Sequence, residues 1–114
     1  MNRRGEQAET LAADFLRGHG LRIAEKNYRC RYGEIDLIAR EGATVVVFVE
    51  VRRRASEAYG GAAASITAAK REKLLKTARH FLAGISPLPP CRFDAVLVSG
   101  EPPRIEWIRN AIED

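Results

Sequence analysis

The chain has 114 residues, of which 46% are hydrophobic and 30% charged. This balance excludes a disordered segment and fits one domain, residues 1–114, around one core. The net charge of +4 favours phosphate-bearing partners, although charge alone is a weak indicator. No apolar run approaches the roughly 20 residues that span a bilayer. Asn2-Arg3-Arg4-Gly5-Glu6 leads into no apolar stretch of the kind a signal peptide carries. These features read as a cytoplasmic protein with no membrane partner, in which Cys30 and Cys91 are reduced thiols. Cys30, Cys91, His19 and His80 do not fall at paired-ligand spacing, which argues against zinc.

Residues 5–17 read as a helix, with Ala8, Leu11, Ala12, Phe15 and Leu16 on one stripe and Gly18-His19-Gly20 at its end. At 100° per residue, Glu9 lies on the border of that stripe. Glu6 and Asp14 lie further round, towards solvent. Residues 21–29 predict a short strand around Leu21, Ile23 and Tyr28. Residues 34–39 predict a second, and Arg40-Glu41-Gly42-Ala43 has the composition of a tight turn.

Residues 44–51, Thr44-Val45-Val46-Val47-Phe48-Val49-Glu50-Val51, form the most β-prone run. The run is apolar on both faces, which implies a central strand covered on both sides. Glu50 is conspicuous in such a strand. Arg52-Arg53-Arg54 follows, then a loop with Tyr59-Gly60-Gly61 and Ala62-Ala63-Ala64-Ser65. Residues 67–83 predict a second helix with Thr67 as N-cap. Leu74, Ala78, Phe81 and Leu82 mark its core stripe. Lys70, Lys73, Lys76 and His80 lie on its polar side. Pro87, Pro89 and Pro90 break the chain before a strand over residues 92–98 and another around Trp107, residues 104–108. The order is helix, β-meander, helix, strands: a mixed α/β layer.

Side chains alternate faces along a strand. If the turn pairs Arg40 with Thr44, Asp36 lies opposite Phe48, and Glu50 lies diagonally beside Asp36 on the same face. A loop of odd length preserves that relation and an even one breaks it. Two such carboxylates repel, and a divalent cation relieves the repulsion through hard oxygen ligands, as magnesium prefers. Arg52, one strand step away, would sit against a phosphate. Spacing alone is equally served by a strand-end glutamate that pairs with the arginines beside it. Arg53, Arg54, Lys70, Lys73, Lys76 and Arg79 would track a nucleic-acid backbone or form a solvated face. The Tyr59-Gly60-Gly61 glycines serve a close backbone approach or a turn. Asp94 reads first as the partner of Arg92 and second as a further site acid.

Gly33-Glu34-Ile35-Asp36-Leu37-Ile38-Ala39 followed by Phe48-Val49-Glu50-Val51-Arg52 resembles the YraN family of uncharacterised bacterial proteins. Asn27-Tyr28-Arg29-Cys30, Tyr59-Gly60-Gly61, Lys70, Arg92-Phe93-Asp94 and Asn110-Ala111 extend the likeness over nearly the whole chain. That family resembles Holliday-junction resolvases and the restriction-endonuclease-like PD-(D/E)xK fold. The resemblance implies a mixed central sheet flanked by helices and a magnesium-dependent nuclease acting on DNA, with manganese as the alternative metal. It implies Glu9, Asp36 and Glu50 as metal ligands, with Arg52 at the position of the motif lysine. Arginine stays protonated and cannot act as a base, though it can hold a phosphate. Lys70 is the candidate replacement amine. A nucleic-acid-binding module of the same fold is the rival reading. Resolvase relatives are dimers, so a homodimer follows by analogy.

Overall fold

The computed structural model describes residues 3–54 and 67–112. The Tyr59-Gly60-Gly61 loop, the small-residue run after it and the Arg54 side chain lie outside the described residues. Helix α1 spans Arg3–Gly18. It buries Ala8, Ala12, Ala13 and Leu16, with Leu11 and Phe15 half-buried beside them. Its end is closed by three bonds, His19 N–H and Leu21 N–H to the Leu16 carbonyl and Gly20 N–H to the Arg17 carbonyl, each 3.0 Å. Gly20 turns the chain at φ +91°, where a Cβ would be strained.

The strands are β1 (Arg22–Cys30), β2 (Gly33–Glu41), β3 (Val45–Arg54), β4 (Cys91–Ser99) and β5 (Arg104–Ile112), and helix α2 (Ala68–Leu82) stands between β3 and β4. They form one mixed sheet in the order β1-β2-β3-β4-β5. Only β3 and β4 are parallel, and the connection between them contains α2. Thr67 caps α2, its hydroxyl accepting from the Lys70 N–H at 3.2 Å.

The sheet is sandwiched. On one face α1 packs against Leu37, Ala39, Val47, Val49, Val51, Val96 and Val98. On the other, α2 lays Leu74, Ala78 and Leu82 on Ile35, Ile38, Val46, Phe48 and Phe93. The all-apolar run of β3 therefore feeds two cores at once. Each fully buried side chain of this size contributes about 1.5–3 kcal/mol. Strand β3 is consequently fixed on both sides at the point where it carries Glu50.

Several boundaries differ from the sequence expectation. Arg40 and Glu41 belong to β2, and the turn is residues 42–44, with Gly42 at φ +62°. The β2–β3 register pairs Arg40 with Val46 and Glu41 with Val45, rather than Arg40 with Thr44. The loop still has an odd length, so the facing relation survives with a two-residue change in partner. Arg52, Arg53 and Arg54 extend β3 instead of following it. The last strand runs on to Ile112 because Asn110, at φ +53°, lets the chain re-enter the sheet after an irregularity.

Candidate functional site

The β2–β3 ladder ends at Leu37↔Val49. Beyond it β2 stays with β1, and β3 stays with β4 as far as Arg54. One further step of the register brings Asp36 beside Glu50, where the two strands part. The N–H of Val51 would be left without a ladder partner there, and such a group is costly when buried. It donates to Asp36 Oδ2 at 2.8 Å instead. The Asp36 carboxylate thus stands in for the missing strand.

Glu50 is 5% exposed. Its Oε2 lies 3.3 Å from Arg52 Nη2 and 3.8 Å from Lys70 Nζ. Its Oε1 is buried with no hydrogen-bond partner, and so is Arg52 Nη2. Burial first, and then the Asp36 charge, push the Glu50 carboxyl up to about 8, against the pull of Arg52. Burial also raises Asp36, opposed by the Val51 N–H and by Arg52. Two neighbouring buried acids, each disfavoured as an anion, compete for a proton and titrate as a unit.

Glu9 reaches the same site from α1. It is half-buried, and burial and then the Asp36 charge raise its pKa while a hydrogen bond from the Asn27 side chain lowers it. Asn27 stands across from Asp36 between the paired residues Lys26 and Tyr28, at φ +54°. Asparagine tolerates that left-handed conformation better than most residues. Simple alternation fails at the same place: Ile35 packs on the α2 side, whereas Leu37 packs on the α1 side. The twist turns Asp36 out of the plain two-faced pattern.

The expected residues are therefore only partly united. Asp36, Glu50, Arg52 and Lys70 meet, and Glu9 is coupled to Asp36 electrostatically. Among the described residues no three of His, Cys, Asp and Glu converge as a preformed metal cage. The arginine run does not act as one patch. Arg52 points to Glu50, with its side chain 19% exposed. Arg53 falls on the α1 side, beside Gln7, Thr10 and Leu11. Lys73 lies on α2 against the β1–β2 hairpin, where a Cβ on Gly33 would come within 3.2 Å of Thr77 Oγ1 and 3.8 Å of Lys73 Cβ.

Asn27 and Glu34 are site neighbours that sequence reasoning did not single out. Glu34 pairs with Arg29 and raises Glu9, Asp36 and Glu50 by like charge. Its position two residues before Asp36 was the available signal. Asp94 serves elsewhere. Its fully buried carboxylate accepts from Arg92 Nε (3.1 Å), Trp107 Nε1 (2.9 Å) and Asn110 N–H (3.0 Å), and Arg92 also grips Glu41. This is a clip between β4, β5 and β2.

A divalent cation fits the donor set. Magnesium needs only one or two carboxylates beside water. Asp36 and Glu50 offer two, and Glu50 Oε1 is a buried oxygen with nothing to bind. A cation there would favour the charged forms that burial disfavours in both acids, and would offset the Asp36 charge felt by Glu50.

Residues 8–98 match the family model described as uncharacterised protein family UPF0102. The chain belongs to this family. A UPF0102 protein of Nitrosomonas europaea is 62% identical over 112 residues, covering 97% of this chain and 94% of its own. One of Nitrosospira multiformis is 54% identical over 111 residues, covering 96% and 92%. One of Cupriavidus taiwanensis is 50% identical over 110 residues, covering 96% and 82%. This is the family that the GEIDLIA and FVEVR segments pointed to. Among the described residues no helix of this UPF0102 protein is long and apolar enough to cross a membrane.

Proposed function

We propose that this UPF0102 protein is a metal-dependent nuclease of the restriction-endonuclease-like fold that hydrolyses phosphodiester bonds in DNA, with branched or damaged DNA as the substrate class. The observation that carries the reading is the buried Asp36–Glu50 pair, whose carboxyls are both raised by burial and whose Glu50 Oε1 has no hydrogen-bond partner. The mixed sheet with a helix on each face, and the acids placed where two central strands diverge, support the fold assignment. Asp36 and Glu50 would hold Mg2+ or Mn2+, and Glu9 would complete the set from α1. Bound metal supplies charge neutralisation at a phosphate and a more acidic water.

The chain's own residues divide the remaining work. Arg52 is a permanent cation and holds a phosphate oxygen rather than moving a proton. Lys70 Nζ, 3.8 Å from Glu50 Oε2, stands where an amine can orient the attacking water. The Val51 N–H fixes Asp36 in register, so the two carboxylates are held by the sheet itself. The protein would work in the cytoplasm, and a homodimer remains the expectation from resolvase symmetry.

The experiment is cleavage of a four-way junction and of linear duplex, with and without Mg2+ or Mn2+, by wild type and Glu50→Gln. Metal-dependent nicking that Glu50→Gln abolishes is the expected result. The second reading is a nucleic-acid-binding module without catalysis. It is favoured by Arg52 at the position of the motif lysine. Salt-sensitive binding without cleavage, unaltered by Glu50→Gln, would select it.

A further inference from the structure

The α2 face that starts at the carboxylates does not end there. Lys70, Lys73, Thr77 and His80 recur at helical spacing along it. Lys70 meets Glu50, Lys73 and Thr77 abut Gly33, and His80 Nδ1 lies 2.6 Å from the Tyr28 hydroxyl. At the far end opens a groove of about 490 Å³ lined by Tyr32, Lys76, Arg79, His80 and Ala83. This volume lies within the range of about 300–1,000 Å³ typical of ligand sites. The groove is separate from the carboxylate site. From Lys70 to Arg79, nine residues at about 1.5 Å each give about 14 Å, the rise of about four stacked nucleotides.

Its chemistry is aromatic and cationic. Tyr32 is one of two large hydrophobic residues left exposed among the described residues, at 36%. It is not loose: Arg31 Nη2 donates to its hydroxyl at 2.8 Å, with the guanidinium carbon 4.9 Å from the ring centroid. The His80 ring lies 6.2 Å from that of Tyr32, nearly edge-on, and is itself held by Tyr28. Among the described residues no acid lines the groove. Glu72 pairs with Lys76 at 3.6 Å from outside it, through exposed side chains, a contact weak enough to yield to a phosphate. An exposed, clamped ring beside two cations suits a base with its phosphate. It does not suit a purely apolar or an acid-free ligand.

We propose that this groove is a subsite for one unpaired nucleotide of the bound strand. The base stacks on Tyr32 with the His80 ring against its edge, and Lys76 and Arg79 hold the flanking phosphates, about four nucleotides from the carboxylates. The proposal rests on the nucleic-acid reading of the carboxylate site and sharpens it. The preferred substrate carries a single-stranded segment next to the reacting phosphate, as branched and flapped DNA does.

The test is fluorescence anisotropy in EDTA, which separates binding from cleavage and from metal. The probes are a labelled single-stranded octanucleotide and the same backbone made fully abasic. Wild type is expected to bind the base-bearing strand about tenfold more tightly, the scale of one stacked base. Tyr32→Ala should erase that preference while melting at the wild-type temperature, and Tyr32→Phe should keep it. Lys76→Ala/Arg79→Ala should weaken both strands alike and lower the salt slope by about 1.4, for two phosphates on a single strand. Tyr32→Ala that retains the wild-type preference overturns the subsite and leaves the carboxylate site untouched. A wild type that binds neither strand overturns the subsite, whereas the nucleic-acid reading falls only if the four-way junction and duplex are also neither bound nor cut.

Discussion

Replacing Glu50 with glutamine separates the charge of this carboxyl from its packing, because the two side chains are nearly isosteric. The ordinary value of 4.5 rises to about 8 in the folded protein. At about 1.36 kcal/mol per pH unit, charging Glu50 in place costs on the order of 5 kcal/mol. That is a large share of the roughly 5–15 kcal/mol by which domains are stable. The sign follows from proton counting. Between about 4.5 and about 8 the folded protein keeps a proton that the unfolded chain has released. Stability contributed by the neutral acid is thus fully present below the lower value. It is lost as pH rises through the window, and the loss is complete above the upper value. Urea unfolding in EDTA across the window measures it. Glu50→Gln removes this titration, so its stability relative to wild type should climb by several kcal/mol from about pH 4.5 to about pH 8.5. Titrations remote from the site cancel in that difference, and the Asp36 titration, which is linked to that of Glu50, is part of it. The offset at low pH reports the altered contact with Arg52 and is not the diagnostic. Adding Mg2+ at about 100 times its Kd should restore about 2.7 kcal/mol to wild type at the alkaline end and nothing to the variant. Parallel pH curves for the two proteins would refute the claim that burial holds Glu50 as a neutral acid whose ionisation costs stability.

The neighbouring residues give sharper local tests. Asn27→Gly keeps the left-handed backbone but removes the bond to Glu9, so the Glu9 carboxyl should titrate higher by carbon-detected NMR. Asn27→Ala should also destabilise by about 1 kcal/mol in urea, because alanine lacks the short polar side chain through which asparagine tolerates that conformation. Gly33→Ala should cost about 1–3 kcal/mol, since the new Cβ meets Thr77 Oγ1 at 3.2 Å in a strained backbone region. Asp94→Ala should cost about 3 kcal/mol by denaturant melt, stranding Arg92, Trp107 and the Asn110 N–H. It should leave metal affinity unchanged, because Asp94 belongs to the structural clip.

The parts of this molecule that were legible in the sequence are those with local causes. The unbroken apolar run before Glu50 required cover on both faces, and α1 and α2 provide it. Thr67 had the chemistry of a cap, and Glu9 was placed by the helix wheel alone. The odd loop needed to bring Asp36 and Glu50 together was a matter of parity, which a two-residue error in register does not disturb. What was hidden depends on chain segments far apart. The end of the ladder at Leu37↔Val49 lies where β2 stays with β1 and β3 stays with β4, which no periodicity in β2 reports. The division of Arg52 from Arg53 follows from β3 extending to Arg54, since strand alternation sends neighbours to opposite faces. Thr77 is fully buried on a helix face read as polar, because its hydroxyl donates to the Lys73 carbonyl at 2.7 Å and Gly33 lies against it. Asn27 was quoted only as part of a motif. Its backbone conformation and its bond to Glu9 emerge once β1 is laid across Asp36.

The central claim is that Asp36 and Glu50 form a seat for a divalent cation. Calorimetric titration of Mn2+ into the metal-free protein near pH 8 addresses it most directly. The account predicts a bound metal with release of protons from the carboxylate pair, no binding to Asp36→Asn or Glu50→Gln, and weakened binding to Glu9→Gln. A wild type that takes up no Mn2+, or one whose binding survives both Asp36→Asn and Glu50→Gln, would contradict it.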